Sequence, residues 1–109
     1  MAKLYKIIRI IIETKQKGDT PANFILRSPT NEELNNFEIE RYSLNSKDRE
    51  KIIACRAAFF DKLLTGIEDF VDTEDQPIGV DRKDLIPDSW KDFAIFSKFE
   101  MTTIDIKNS

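Results

Sequence analysis

Residues 3–13 read KLYKIIRIIIE, and this stretch decides the fold class. Five isoleucines between positions 7 and 12 give a β-branched density that favours a strand over a helix. One face of that strand carries Leu4, Ile8, Ile10 and Ile12, with Lys6 near its start. The other carries Tyr5, Ile7 and Ile11, with Arg9 among them. Two largely apolar faces predict a central strand covered on both sides for part of its length, and they describe equally well a strand that completes a partner's sheet. Residues 14–22, TKQKGDTPA, read as a turn and loop, and residues 23–27, NFILR, as a second short strand. The unit is an antiparallel hairpin with a long connection. Lys6 and Arg9 interrupt the apolar run, and no small-residue cleavage site follows it, so the run reads as a strand and not as the core of a signal sequence.

Outward from the hairpin the pattern turns helical. Thr30-Asn31-Glu32-Glu33 is a capping box: the Thr30 hydroxyl takes the backbone N–H three residues on, and Glu33 reaches back. Leu34, Phe37, Arg41 and Tyr42 then fall on one helical face, and the helix ends near Ser43-Leu44-Asn45. A second helix starts near Ser46, with Asp48 suited to its positive end, and runs to about Thr65, where Gly66 is the natural residue past the terminus. Its apolar zone is wide: Ile52, Phe59, Phe60, Leu63 and Ile67, extended by Ile53, Ala57 and Leu64 and by Ala54, Cys55 and Ala58. Residues 67–84 read as an acidic loop with a short hairpin around Asp75-Gln76-Pro77. A third helix follows Ile86-Pro87, capped by Asp88 or Ser89, and runs to about Glu100 with Trp90, Phe93, Ala94, Ile95, Phe96 and Phe99 around most of it. The expected fold is α+β: a small antiparallel sheet, the N-terminal hairpin, with three helices packed on it. The 109 residues make one domain, with 101–109 a flexible, β-prone tail.

Composition narrows the chemistry. The chain has no histidine, so a Ser-His-Asp or Cys-His nucleophile is excluded. Cys55 is the only cysteine, too few for a Cys/His zinc site or an internal disulfide. Within Ile-Ile-Ala-Cys-Arg-Ala-Ala it reads as a small buried hydrophobe. Gly18, Gly66 and Gly79 are too few and too far apart for a phosphate-cradling loop. An EF-hand frame begun at Asp72 fails, since Pro77 stands where glycine is needed and Lys83 where the bidentate carboxylate belongs. Lys91-Asp92-Phe93-Ala94-Ile95-Phe96 lacks the glycine and second aromatic of an RNA-binding strand. No stretch approaches the roughly 20 apolar residues that span a bilayer. We therefore expect no catalytic, cofactor-binding or metal-binding residues, no cofactor, no nucleic acid and no membrane.

The net charge of -3 hides a polarised layout. From Asp61 to Asp88 there are nine acidic and three basic residues; from Met1 to Lys17 there are five basic and one acidic. Two helices and one strand carry more apolar surface than a lone domain of this length needs, which marks candidate partner-binding positions at Ile8, Ile10, Ile12, Phe59, Phe60, Trp90, Phe93, Phe96 and Phe99.

Three stretches, Phe24-Ile-Leu-Arg-Ser-Pro-Thr-Asn-Glu-Glu-Leu, Phe60-Asp-Lys-Leu-Leu-Thr-Gly-Ile-Glu-Asp and Leu85-Ile-Pro-Asp-Ser-Trp-Lys, taken in this order resemble small proteins of phage and prophage structural gene clusters, of the tail-assembly-chaperone type. The resemblance is one of layout and covers roughly residues 4 to 100. It implies a non-enzymatic role in the host cytoplasm: coating or organising the tape-measure protein, or helping tail-tube subunits assemble, as a homo-oligomer. It brings no catalytic residues with it and gives the acidic stretch 68–84 no role. The alternative is a tail-completion or connector subunit that stays in the particle. A small enzyme or metal protein using the acidic stretch is the third reading.

Overall fold

Alternation along the second strand sets the sheet. In Ala22–Arg27, Ala22, Phe24 and Leu26 are buried while Asn23, Ile25 and Arg27 are half-buried, the period of two that one covered face demands. The computed structural model describes residues 7–12 and 21–100. The expected strand residues 3–6 and 13, most of the loop 14–22 and the tail 101–109 lie outside the described residues.

Three strands, β1 (Ile7–Ile12), β2 (Ala22–Arg27) and β3 (Leu64–Glu68), form an antiparallel sheet in the order β1-β2-β3. The hairpin is therefore as expected, with Ile10 opposite Phe24 and Ile8 opposite Leu26. The placement of β1 is corrected: among the described residues it is an edge strand and not a central one. Ile10 is 3% exposed and its neighbour Ile11 57%, so only one face is covered. On the outer face Arg9 pairs with Glu68 at 3.1 Å. β3 is a second correction. Gly66 does not follow a helix end; it sits within the strand, opposite Ile25. One extra residue on β3, Thr65, makes a bulge, and its hydroxyl donates to the Ile25 carbonyl at 3.0 Å.

Three helices carry the rest: α1 (Asn31–Ser43), α2 (Arg49–Leu63) and α3 (Asp88–Ile95), the last continued by a wider turn over Phe96–Glu100. The capping box of α1 is formed in both directions: the Glu33 amide donates to the Thr30 hydroxyl at 3.1 Å, and the Thr30 amide donates to the Glu33 carboxylate at 3.0 Å. On α1, Phe37 is buried and Leu34 and Arg41 half-buried, but Tyr42 points to solvent, as does Ile39. α3 is entered differently from the expectation. Pro87 occupies the N-cap, no side chain caps the helix, and the Pro87 carbonyl accepts from the amides of Trp90 and Lys91.

The chain is thus α+β, and it divides into two compact units. The sheet unit comprises residues up to Ser28 together with Leu63–Leu85; the helical unit comprises Pro29–Lys62 and the chain from Ile86 onwards. In the sheet unit Ile10, Ala22, Phe24, Leu26, Leu63, Leu64 and Ile78 are buried. In the helical unit Phe37, Ile52, Cys55, Ala57, Phe59, Phe60, Ile86, Ala94 and Ile95 are buried. There Phe37 stacks on Phe59 with centroids 4.2 Å apart, and Phe99 meets Phe59 edge-on at 5.3 Å. Among the described residues no helix is long and apolar enough to cross a membrane.

Candidate interaction surface

The nine apolar positions singled out from the sequence separate into core and surface. Ile10, Phe59 and Phe60 are corrected to core: Phe59 is held between Phe37 and Phe99, and Phe60 is fully buried. Ile8, Ile12, Trp90, Phe96 and Phe99 are half-buried. The Phe96 ring lies under the Arg56 guanidinium, 5.0 Å from its centroid, so the aromatic is used within the helical unit. Phe93 alone of the nine is openly exposed, at 59%. The positions fall in both units, and in neither do they form an exposed patch. The reason is geometric. An all-round apolar helix looks like an interface in sequence, but a helix lying against two others buries most of its circumference.

A different surface is assembled in the sheet unit, from the acidic stretch. The chain folds back on itself after β3. Phe70 accepts from the Ile78 amide at 2.9 Å, Val71 bridges Pro77, and the Asp72 amide donates to the Gln76 carbonyl at 2.9 Å. This is the short hairpin read around Asp75-Gln76-Pro77. Asp72 organises its tip. One carboxylate oxygen accepts from the amides of Glu74 (2.8 Å) and Gln76 (3.0 Å), and the other pairs with Arg82 at 3.2 Å. Those backbone donors, followed by Arg82, hold the Asp72 carboxyl below its ordinary range. Asp75 takes a positive φ of 60°, a conformation aspartate tolerates better than most residues. Beyond the tip, Val80–Leu85 forms a 3-10 segment kinked at Arg82.

Between this hairpin and the 3-10 segment lies an open cleft of about 770 Å³. Phe70, Val71, Ile78 and Leu85 provide its apolar lining, and Asp72, Glu74 and Asp75 its acidic rim. Val71 is 49% exposed and Leu85 46%. The floor is fixed from behind: Ile78 is buried, and the Phe70 ring meets Phe24 of β2 edge-on at 5.8 Å. Asp72 is engaged by Arg82, whereas the carboxylates of Glu74 and Asp75 make no ion pair among the described residues. The result is a preformed apolar surface whose edge carries negative charge that no described residue neutralises. Sequence reading missed Val71 and Leu85 because each belongs to a short apolar pair, Phe70-Val71 and Leu85-Ile86, in an otherwise polar stretch, with no period to show which member faces outward.

The helical unit contains the strongest buried electrostatics. Arg56 on α2 donates from Nε and Nη2 to the two carboxylate oxygens of Glu100, the second at 3.0 Å, and from Nη1 to Asp92 at 2.9 Å. Arg41 Nε lies 3.0 Å from the same Glu100 carboxylate. Although burial opposes its charge, hydrogen bonds to Glu100 and Asp92 prevail and raise the Arg56 pKa further. Lys91, also buried, lies 2.8 Å from Asp61. Cys55 is buried nearby; burial, then Glu40, pushes its thiol up, so it carries less thiolate than a free cysteine. Among the described residues no group of three or more His, Cys, Asp or Glu side chains is placed to hold a metal ion.

No known protein family, characterised protein or solved structure matches the chain.

Proposed function

We propose that the protein is a non-enzymatic assembly protein of a phage or prophage tail module, which holds a cationic, apolar segment of a tape-measure or tail-tube protein in the acid-rimmed cleft of the sheet unit. The observation that carries this reading is the pairing of Val71 and Leu85, both half exposed on a supported floor, with the unengaged carboxylates of Glu74 and Asp75. Fully covering an exposed aliphatic side chain contributes roughly 1.5–3 kcal/mol, of which these two half-exposed side chains lining one cleft retain about half each. The acid rim selects the sign of the partner, because a basic segment is attracted and an acidic one repelled. The partner's identity within a tail module rests on the layout resemblance of the sequence.

The test is binding of the purified chain to the tape-measure and tail-tube proteins encoded in its own gene cluster. Binding is expected, weakening as salt rises. The double variant Val71→Asp/Leu85→Asp is expected to fold normally, since both side chains already face water, and to lose affinity by at least about tenfold. Wild-type protein that binds neither tail protein, or a variant that binds as wild type does, overturns the proposal. Mass spectrometry of purified particles distinguishes the retained-subunit alternative: an assembly protein is absent from them, and a connector is present.

A further inference from the structure

A second cleft, in the helical unit, is lined by arginines. Arg49, Ile52, Ile53 and Arg56 recur at the i, i+3, i+4, i+7 spacing of one α2 face. With Arg41 from the last turn of α1, Ser46 from the α1–α2 connection and Asp92 from α3, they line a cleft of about 330 Å³. That volume lies at the small end of the range for ligand pockets, roughly 300–1,000 Å³.

The hydrogen-bond inventory of the cleft is unbalanced. A guanidinium carries five N–H donors and no acceptor. Arg56 spends three on Glu100 and Asp92. Arg41 approaches Glu100 only through Nε, and that nitrogen is buried without a well-aligned hydrogen bond. Arg49 has no carboxylate partner among the described residues. Three guanidiniums against two carboxylates leave the cleft net positive, with unused donors at its lining. Glu100, outside the lining, and Asp92, within it, fix the plane of Arg56, which is how a guanidinium is pre-organised for an incoming anion. Arginines contributed by two helices suit a tetrahedral anion with several oxygens better than a planar carboxylate with two.

We propose that this cleft binds phosphate, free or carried as the monoester of a small molecule, with Arg49 and Arg41 supplying the unused donors and Arg56 the fixed wall. The site is independent of the acid-rimmed cleft and of the reading built on it.

The experiment titrates the full chain with inorganic phosphate at constant ionic strength, balanced with chloride, following backbone amide and arginine Nε resonances by NMR. A saturable perturbation centred on Arg41, Ser46, Ile53 and Arg56 is expected. Arg49→Ala is expected to raise Kd by about tenfold or more. Its melting temperature without phosphate should stay that of the wild type, because Arg49 is exposed and has no ion-pair partner among the described residues. A second arm with O-phosphoserine separates the sources: tighter binding than free phosphate identifies a monoester, and equal or weaker binding identifies the free ion. A non-saturating drift that is the same in wild type and Arg49→Ala is the general stabilising action of phosphate as an excluded ion, and it overturns the proposal. A saturable response elsewhere in the chain overturns it too.

Discussion

Asp72 shows how much one side chain can fix. Its carboxylate accepts two backbone amides within the hairpin tip and faces Arg82 across the cleft, so the tip that carries Glu74 and Asp75 depends on it. These interactions favour the charged form, and the carboxyl is held below its ordinary pKa of 3.8. A depressed carboxyl adds stability that is full above the ordinary value and is lost as pH falls through the lower, folded one. Asp72→Ala is therefore expected to melt below wild type at neutral pH by a margin that persists down to about pH 5 and narrows below about pH 4. Melting curves of the two proteins across that range check it, and a margin unchanged at low pH would falsify the role given to the carboxylate. The tip was partly legible: Asp, Gln and Pro mark a turn from sequence alone. The arginine network was not. Arg56 and Glu100 are 44 residues apart in the chain, and an arginine on an otherwise apolar helix reads as a solvated charge until its partners are placed.

At the scale of elements, legibility follows locality. The capping box of α1 was legible because every group in it lies within four residues. β3 was not, because Leu64-Thr65-Gly66 continues the apolar pattern of α2, and the glycine looks like a helix stop. What makes it a strand is pairing with β2, a non-local fact. β1 was read as a strand, but its apolar density placed it in the sheet centre, and the structure places it at the edge. Its alternation gives a sharp test. Ile10 and Ile11 are adjacent and chemically identical, yet one is in the core and the other on the outer face. Ile10→Ala is expected to cost about 2–5 kcal/mol by lost burial and cavity formation. Ile11→Ala is expected to stay within about 0.5 kcal/mol, and it removes an apolar side chain from an exposed edge strand. Urea unfolding of both variants measures the contrast. Similar costs at the two positions would mean that the outer face of β1 is covered as well as the inner one.

Over the whole molecule, charge sorts the three functional readings. The acidic excess between Asp61 and Asp88 includes both the rim of the sheet-unit cleft and Asp61, which lies beside Lys91 in the helical unit. A cation-binding protein and a partner-binding protein can share that composition; they differ in how the carboxylates are used. Asp72, the best-placed oxygen donor, is committed to two amides and Arg82, which leaves Glu74 and Asp75 as separate exposed charges. No third metal-ligating side chain is grouped with these two carboxylates among the described residues, and as exposed charges they suit long-range attraction of a basic segment. Calcium or magnesium at millimolar concentration is accordingly expected to leave the melting temperature unchanged. The measurement is sensitive: a ligand at a hundred times its Kd stabilises by about 2.7 kcal/mol, and for a chain near this size each kcal/mol moves the midpoint by roughly 4–8 °C. A rise of that size with either cation, abolished by Glu74→Gln/Asp75→Asn, would make the cleft a metal site and displace the assembly role. The same pair of substitutions with no cation effect, but weaker binding to a tail protein at low salt and little change at high salt, is the signature of an electrostatic rim guiding a partner onto Val71 and Leu85.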